Sequence, residues 1–187
     1  MRIISGNYRK KKILEPKDRE TRPLKDLTKE SIFNIIEHTN KFDVNLRDSK
    51  VLDLFSGTGS FGLECLSRGS SSVTFVENYK EVLEVLKKNI SLLLSEDKST
   101  VIEKDIFNIL NFSYFKNKFE IIFLDPLYRE KRLTLLLTLI IKANILEENG
   151  IIILHRHKKE EDMMPENFRI IEEKTYGVSK IIFGSYF

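Results

Sequence analysis

The chain has 187 residues, of which 41% are hydrophobic and 32% are charged, a length that suits one ordinary domain with a small appendage and is short for two full domains. Its lone cysteine, Cys65, rules out an internal disulfide and disfavours a stapled secreted scaffold, and no Cys/His cluster has zinc spacing. The first residues lack the apolar core of a signal peptide, and no apolar run is long enough to cross a membrane, so we expect a cytoplasmic protein.

The net charge of +3 is unevenly distributed along the chain. The first thirty residues hold ten of the 31 basic side chains and five of the 28 acidic ones, so this segment carries +5 and the rest of the chain −2. A basic segment ahead of a nearly neutral body favours a polyanion partner, with nucleic acid the first candidate. A solvated, solubilising terminus is the alternative that charge alone leaves open.

The first forty residues predict two elements. Residues 2 to 15 alternate weakly around Gly6-Asn7, a pattern typical of a hairpin or of two paired strands. Apolar residues then recur at helical spacing, which predicts a helix that begins with a cap at Asp26 or Thr28 and ends near His38.

From residue 50 onward, short apolar runs alternate with amphipathic stretches. The apolar runs predict strands at residues 51–55, 72–77, 100–105, 119–126 and 150–155. The stretches between them predict helices at residues 60–68, 79–94 and 130–142, and the last twenty residues predict two strands joined near Tyr176-Gly177. This alternation predicts an α/β fold with a doubly wound, mostly parallel sheet and an antiparallel C-terminal edge.

The loop after the first of these strands carries a glycine-rich motif. Residues 57 to 62 read Gly-Thr-Gly-Ser-Phe-Gly, which matches G-x-G-x-x-G between a strand and a helix, and Glu77 follows Gly57 by twenty residues. Taken literally, this pattern predicts a nicotinamide dinucleotide. A carboxylate at Asp53 would repel a diphosphate there, whereas it would attract the sulfonium and ammonium groups of S-adenosylmethionine. An ordinary glycine turn beside solvated acids is the alternative.

Acidic residues at the next strand ends extend the candidate cofactor site. A carboxylate at Glu77 can accept both ribose hydroxyls of either cofactor. Asp105 is expected to reach the adenine amino group, with the backbone of Ile106 or Phe107 close to the ring.

The fourth strand end, Asp125-Pro126-Leu127-Tyr128, offers a carboxylate, a carbonyl fixed by proline and an aromatic ring. An exocyclic amine is a poor nucleophile because its lone pair is delocalised into the ring, so methyl transfer to it needs acceptors for its protons and in-line positioning. Asp125 and the carbonyl of Pro126 are candidate acceptors, and Tyr128 is a candidate to stack on the base. The alternative is that Asp125 only caps a helix that begins near Glu130.

Taken together, these motifs resemble in order those of class I S-adenosylmethionine-dependent amino-methyltransferases. The N-terminal segments narrow the resemblance to the RsmD-like bacterial methyltransferases, because they are similar to that family in residues 1–13 (MRIISGNYRKKKI), 22–23 (RP) and 29–34 (KESIFN). The resemblance implies a Rossmann-like methyltransferase domain at residues 41–187 and a basic RNA-binding hairpin and helix at residues 1–40.

The family resemblance also implies a reaction and its residues. The reaction is methylation of the 2-amino group of a guanine, of the G966 type, in 16S ribosomal RNA or in an assembly intermediate of the small subunit, without a metal. Cofactor binding is implied for Asp53, Gly57, Gly59, Glu77 and Asp105. The target-amine role is implied for Asp125, Pro126 and Tyr128. Phosphate contacts are expected from Arg2, Arg9, Lys10, Lys11, Lys12 and Arg22.

Two positions depart from the family pattern. Leu127 stands where a second proline is usual, which predicts a less rigid turn at residues 125–128. Leu24 stands where threonine is common after Arg-Pro, which removes one possible RNA contact. Three other functions remain open: an amino-methyltransferase for another RNA, DNA adenine or protein glutamine; an NAD-dependent dehydrogenase; and a non-catalytic RNA-binding assembly factor.

Several further polar residues have simpler interpretations. His155 and His157 invite a metal site but lack a third ligand nearby, so with Arg156 they are expected to line the RNA path instead. Cys65 is expected to be a small core residue, since it has no local base. Asn89 is expected on a solvated helix face.

Overall fold

The computed structural model describes residues 1–16, 24–109, 115 and 117–186. Within these ranges seven strands alternate with four α-helices. The strands are β1 (Lys50–Leu54), β2 (Ser72–Glu77), β3 (Ser99–Glu103), β4 (Phe119–Leu124), β5 (Leu146–His157), β6 (Phe168–Tyr176) and β7 (Ser179–Tyr186). The helices are α1 (Asp26–His38), α2 (Ser60–Ser67), α3 (Lys80–Leu92) and α4 (Leu133–Ala143).

All seven strands form one sheet in the order β3-β2-β1-β4-β5-β7-β6. The five strands from β3 to β5 are parallel, and β7 and β6 extend the sheet in antiparallel fashion. The strand order reverses between β1 and β4, so the crevice beyond their carboxyl ends is where a doubly wound sheet binds ligands. The predicted doubly wound sheet and its antiparallel C-terminal edge are both confirmed.

The sheet separates two apolar cores. The first core contains the inward residues of α1, α2 and α3, and the second contains those of α4. Neighbouring residues of β1 and β4 alternate between the cores, so both strands are buried on both faces; the uninterrupted apolar run at residues 121–124 predicts this for β4. Because β1 and β4 are held on both sides, the residues at their carboxyl ends are fixed in position.

The N-terminal segment pairs with itself only briefly. A single antiparallel bridge joins Arg2 to Lys12, and the Ile3 N–H donates to the Lys11 carbonyl at 2.9 Å. The predicted pairing is therefore present, but as one bridge and not as two regular strands. The segment binds α2 instead: the Ile4 and Ser5 N–H groups donate to the buried Glu64 carboxylate at 2.8 and 2.9 Å.

A buried lysine joins this segment to the start of α2. The Lys29 ammonium donates to the Arg2 carbonyl at 2.9 Å and to Ser60 Oγ at 3.1 Å, and it lies 3.7 Å from Glu64. Burial lowers the pKa of Lys29, while the Glu64 carboxylate opposes that shift. Residues 1–16 of the basic segment thus pack against the first core, through the buried side chains of Ile3 and Ile13, and do not extend into solvent as an arm.

Two local predictions were wrong in detail, the cap of α1 and the start of the fourth helix. The N-cap of α1 is Lys25, with no side-chain cap, so neither Asp26 nor Thr28 has that role; Asp26 lies inside the first turn, where its charge favours the helix dipole. The fourth helix begins at Leu133 and not near Glu130, so Asp125 does not cap it.

No α-helix of the described ranges is long and apolar enough to span a bilayer.

Candidate active site

The four candidate acids lie at one edge of the sheet. Asp53 and Glu77 belong to β1 and β2, Asp105 follows the end of β3 by two residues, and Asp125 immediately follows β4. Because these strands are parallel neighbours, their carboxyl ends bring the four carboxylates to the same crevice.

The glycine-rich loop between β1 and α2 needs glycine for two reasons. Gly57 and Gly59 both have positive φ, +54° and +81°, a region that side chains rarely adopt. In addition, a Cβ placed at Gly59 would lie 2.5 Å from Cδ1 of Leu86 in α3, which is too close. The two glycines therefore allow the loop to turn sharply and to pack tightly on the helix behind it.

Glu77 holds this loop in place. Its Oε2 accepts the Gly57 N–H at 2.8 Å, and its Oε1 accepts the N–H groups of Asn78 and Tyr79 at 2.9 and 3.0 Å. A carboxylate offers about four acceptor positions, so these three contacts leave room for about one more donor. Glu77 can accept one ligand hydroxyl as it stands, and a second only by giving up a backbone contact.

Asp53 is a buried carboxyl group with an excess of negative charge around it. The residue is 1% exposed, and its Oδ2 accepts the Gly62 N–H at 3.0 Å. Burial raises the pKa of Asp53 well above its usual range; the Gly62 N–H opposes this shift, and the carboxylates of Asp125 and Glu77 add to it. A cationic ligand would offset this accumulation of charge, whereas a diphosphate would increase it.

Asp105 closes the far side of the crevice. Its carboxylate accepts the Phe107 N–H at 3.0 Å and so begins a short 3-10 helix, Ile106–Asn108. Ile106 is buried in the second core, and the guanidinium of Arg132 lies 3.6 Å from the centre of the Phe107 ring. This cation-π contact joins the 3-10 helix that follows β3 to the segment that follows residues 125–128.

The target turn, residues 125–128, is continuous with the centre of the sheet. The Asp125 N–H donates to the Leu54 carbonyl at 3.4 Å, and Pro126 is buried while Leu127 is exposed. The Asp125 carboxylate lies 2.7 Å from Nδ1 of His155. Through the contact with Leu54, the turn adjoins the strand that leads into the glycine loop.

The Tyr128 ring is held edge-on by two imidazoles. Its centroid lies 5.1 Å from that of His157 and 6.1 Å from that of His155. Both ring nitrogens of His155 are engaged, since Nε2 lies 2.9 Å from Ser179 Oγ and Nδ1 binds Asp125. The two histidines thus support the target turn.

Arg156 is fully buried and binds the target turn from below, so the expectation that it lines the RNA path is wrong. Its guanidinium makes two 2.7 Å hydrogen bonds to the Asp162 carboxylate. It also donates to the carbonyls of Leu127 at 3.2 Å and Glu130 at 3.0 Å. These contacts restrain the turn at the position where the family's second proline is missing.

The structure places the N-terminal basic residues beside α2 rather than around the target turn. The Asn7 N–H donates to the carbonyl of Ser67, the last residue of α2, so the turn that carries Arg9, Lys10 and Lys11 lies at that end of the helix. The glycine loop is at the other end, about 10 Å away at 1.5 Å per residue. These three side chains are exposed, as are Arg2 and Lys12, and Arg22 lies outside the described residues.

Asn89, which was expected on a solvated helix face, contributes to the site instead. Asn89 is fully buried, not solvated, because its amide binds the backbone of Leu14 and donates to the Thr58 carbonyl in the glycine loop at 3.0 Å. Cys65 is buried in the first core as expected, and burial raises the pKa of its thiol.

Sequence reasoning missed a second group of basic residues near the target turn. All of them are exposed to solvent and lie within four residues of Tyr128 or His157 in the chain. They are Arg129, Lys131, Arg132, Lys158 and Lys159. The signal was present in the run Arg-Glu-Lys-Arg directly after Tyr128. Part of this charge is balanced locally, because Lys131 pairs with Glu160 and Arg132 with Glu130.

Known proteins are similar to this chain over nearly its whole length. A family model described as "Conserved hypothetical protein 95" matches residues 1–185. The ribosomal RNA small subunit methyltransferase D of Haemophilus influenzae is 32% identical over 179 residues, which are 95% of this chain and 90% of that protein.

Solved structures show the same fold. A putative methyltransferase from Escherichia coli, yhhF, has a TM-score of 0.82 at 25% identity and covers 100% of this chain and 97% of its own. A more distant structure, the putative methyltransferase SMU.776 complexed with SAH, has a TM-score of 0.65 at 16% identity and covers 84% of this chain and 48% of its own, a likeness of fold. The chain has the Rossmann-like class I methyltransferase fold and belongs to the RsmD-like family of methyltransferases.

Proposed function

We propose that this protein transfers a methyl group from S-adenosylmethionine to the exocyclic 2-amino group of a guanine in 16S ribosomal RNA. The observation that carries the proposal is the junction of β1 and β4. The buried Asp53 carboxyl group and the glycine loop lie on one side of it, and Asp125, whose N–H donates to Leu54 of β1, lies on the other. A cationic donor and an amine can meet there. The identity of the substrate would place the reaction in the cytoplasm.

The residues of the crevice fit S-adenosylmethionine on electrostatic grounds. The raised pKa of Asp53 reflects burial and neighbouring carboxylates, and no cation of the described residues appears among its causes. Asp53 would hold the positively charged part of the cofactor, Glu77 a ribose hydroxyl, and Asp105 with Ile106 the adenine. The bound cofactor supplies a methyl group on a sulfonium, which is activated toward a neutral nucleophile.

The target turn would bind and orient the amine. The Asp125 carboxylate and the Pro126 carbonyl accept hydrogen bonds from its protons, and Tyr128 stacks on the base. Attack by a neutral amine on a cationic methyl donor disperses charge, so positioning by these groups contributes more to the rate than a strong base does. The proton leaves the amine after attack, to Asp125 or to water.

Access to a guanine amine requires the base to leave its stack. The N-terminal extension, residues 1–40, would bind the RNA backbone through Arg2, Arg9, Lys10, Lys11, Lys12 and Arg22. The exposed position of the first five supports this assignment. The RNA would then extend from the target turn past the glycine loop and along α2.

The test is methyl transfer from labelled S-adenosylmethionine, followed by nucleoside mass spectrometry of the product. Naked 16S RNA, partly assembled small subunits, duplex DNA and a glutamine-bearing protein are offered separately. We expect N2-methylguanosine in 16S RNA, and its loss in Asp125→Ala. Methylation of adenine or glutamine instead, or full activity of Asp125→Ala, would overturn the proposal.

A further inference from the structure

We propose that His155 is a positioning residue for the target turn, and that its imidazole fixes the Asp125 carboxylate in the orientation that accepts the amine. The inference deepens the proposed function and rests on it. In the sheet, Leu124 of β4 is the direct partner of Leu154 of β5, so the residues that follow them, Asp125 and His155, lie side by side.

The contact between the two side chains is short and sheltered. Nδ1 of His155 lies 2.7 Å from Oδ1 of Asp125, and the side chains are 8% and 20% exposed respectively. Water therefore reaches the carboxylate far more easily than the imidazole. A hydrogen bond to a charged acceptor in such a partly buried place is among the stronger ones in proteins.

The partners on both sides of the ring are compatible with a neutral imidazole that carries its hydrogen on Nδ1. An ionised Asp125 can only accept, so Nδ1 of His155 carries the hydrogen. Nε2 lies 2.9 Å from Oγ of Ser179, whose hydroxyl can donate to it. A neutral imidazole thus satisfies both contacts, and Ser179, on the antiparallel strand β7, keeps the ring from rotating.

This arrangement selects one oxygen of the carboxylate. The imidazole binds Oδ1, which directs Oδ2 to the target amine. Without the imidazole, the partly exposed Asp125 side chain would be free to adopt other rotamers and to accept hydrogen bonds from water instead. The loss would fall on the rate of transfer, because in-line positioning and not tight binding is what the carboxylate provides.

Substitutions at one position separate the donor from the bulk of the ring. In His155→Asn the amide N–H₂ stands near the position of Nδ1 and preserves the donor to Asp125. In His155→Gln the longer amide reaches the position of Nε2 and Ser179, and in His155→Phe the ring remains without any donor. The three variants therefore change the same site in matched ways.

We expect kcat of His155→Asn to stay within about threefold of wild type, while His155→Gln and His155→Phe lose about tenfold or more, the effect of one charged hydrogen bond. The KM values for RNA and cofactor should change little in all three. Wild-type kcat in both His155→Gln and His155→Phe overturns the inference and leaves the proposed function standing. Absence of guanine methylation by the wild-type protein overturns the proposed function instead.

A second measurement does not depend on activity. The ¹⁵N-labelled protein should show His155 as the neutral tautomer with hydrogen on Nδ1, and with that proton shifted strongly downfield by its bond to Asp125. Asp125→Ala should remove this signal, while the backbone amide spectrum should still be that of a folded protein. A hydrogen on Nε2 alone in the wild-type protein would contradict the inference, even where His155→Phe fails to fold.

Discussion

The ring of Phe61 stacks on the ring of Phe123, with centroids 3.9 Å apart and planes 15° from parallel. Phe61 is the second residue of α2, directly after the glycine loop, and Phe123 precedes Asp125 by two residues on β4. The helix that carries the candidate cofactor loop and the strand that carries the target turn are therefore packed on each other through one aromatic pair. A change in this pair should affect both halves of the site.

The first prediction concerns that stack. Phe61→Ala should lower the free energy of unfolding by about 3–5 kcal/mol, because it removes a buried ring and leaves a cavity against Phe123. Denaturant unfolding gives this value. The control is Leu92→Ala in α3, whose side chain is 52% exposed and whose removal should change stability by about 0.5 kcal/mol or less. Equal effects of the two substitutions would mean that the stack adds no more to stability than an exposed side chain does.

The second prediction uses the raised pKa of Asp53. A carboxyl group whose pKa is higher in the folded than in the unfolded protein contributes stability below its unfolded value, and this contribution is lost as the pH rises through the folded value. Asp53→Asn cannot ionise, so it does not lose stability as the pH rises, and its amide oxygen still accepts the Gly62 N–H. We therefore expect the variant to be more stable than wild type at neutral pH, and the difference to shrink toward pH 4.

The same substitution should impair cofactor binding. Without the negative charge, affinity for S-adenosylmethionine should fall about tenfold or more, the effect of a lost charged contact. Isothermal titration calorimetry measures this affinity, and chemical denaturation across a pH series measures stability. A variant that binds the cofactor as tightly as wild type would show that Asp53 does not hold its cationic part.

Much of the fold was predictable because the strongest local patterns coincide with the elements that form the sheet. The apolar run from Ile121 to Leu124 predicted a strand buried on both faces, and the glycine motif predicted a strand-loop-helix junction. Both follow from residues close together in the chain. The acids at the strand ends were then predictable as a group, since parallel strands end at the same edge.

The predictions for Asn89 and Arg156 failed because both side chains bind backbone groups of another segment of the chain. Asn89 lies on the polar side of α3 by periodicity, yet it is buried because Leu14 covers it. Arg156 appeared as one of several charges at a strand end, but Asp162 and the turn carbonyls enclose it. The periodicity of apolar residues shows which face of a helix or strand packs on the sheet. It does not show whether another segment of the chain covers the opposite face.

The third prediction tests the contact between Asn89 and the N-terminal segment that covers it. Asn89→Leu would leave the Leu14 N–H and the carbonyls of Leu14 and Thr58 without their partner. We expect a loss of about 2–4 kcal/mol in the free energy of unfolding, and faster hydrogen exchange at the Leu14 amide. Lys88→Ala, at the exposed neighbouring position, is the control and should leave both unchanged. Slow exchange at Leu14 in Asn89→Leu would contradict the assigned role.

The fourth prediction concerns RNA binding by the N-terminal segment. Arg9→Ala combined with Lys12→Ala removes two exposed charges and should weaken RNA binding while cofactor affinity stays the same. The slope of log affinity against log salt should become shallower by about 1.4, since each phosphate contact to a single strand contributes about 0.7. Lys118→Ala with Lys142→Ala removes the same charge near Asn144, beside the helix on the opposite face of the sheet. A similar change of slope in both pairs would mean that only total charge matters.

The fifth prediction separates the structural role of Arg156 from its role in the target turn. Arg156→Met leaves the buried Asp162 carboxylate without its partner and should cost about 3–5 kcal/mol of unfolding free energy. Adding Asp162→Leu removes the stranded charge and should recover much of that stability. The carbonyls of Leu127 and Glu130 still lack their donor in the double variant, so methyl transfer should stay low when stability has returned. Denaturant unfolding and kcat, measured on wild type, the single and the double variants, test this directly. Recovery of kcat together with stability would show that Arg156 serves the fold alone and that the turn keeps its shape without it.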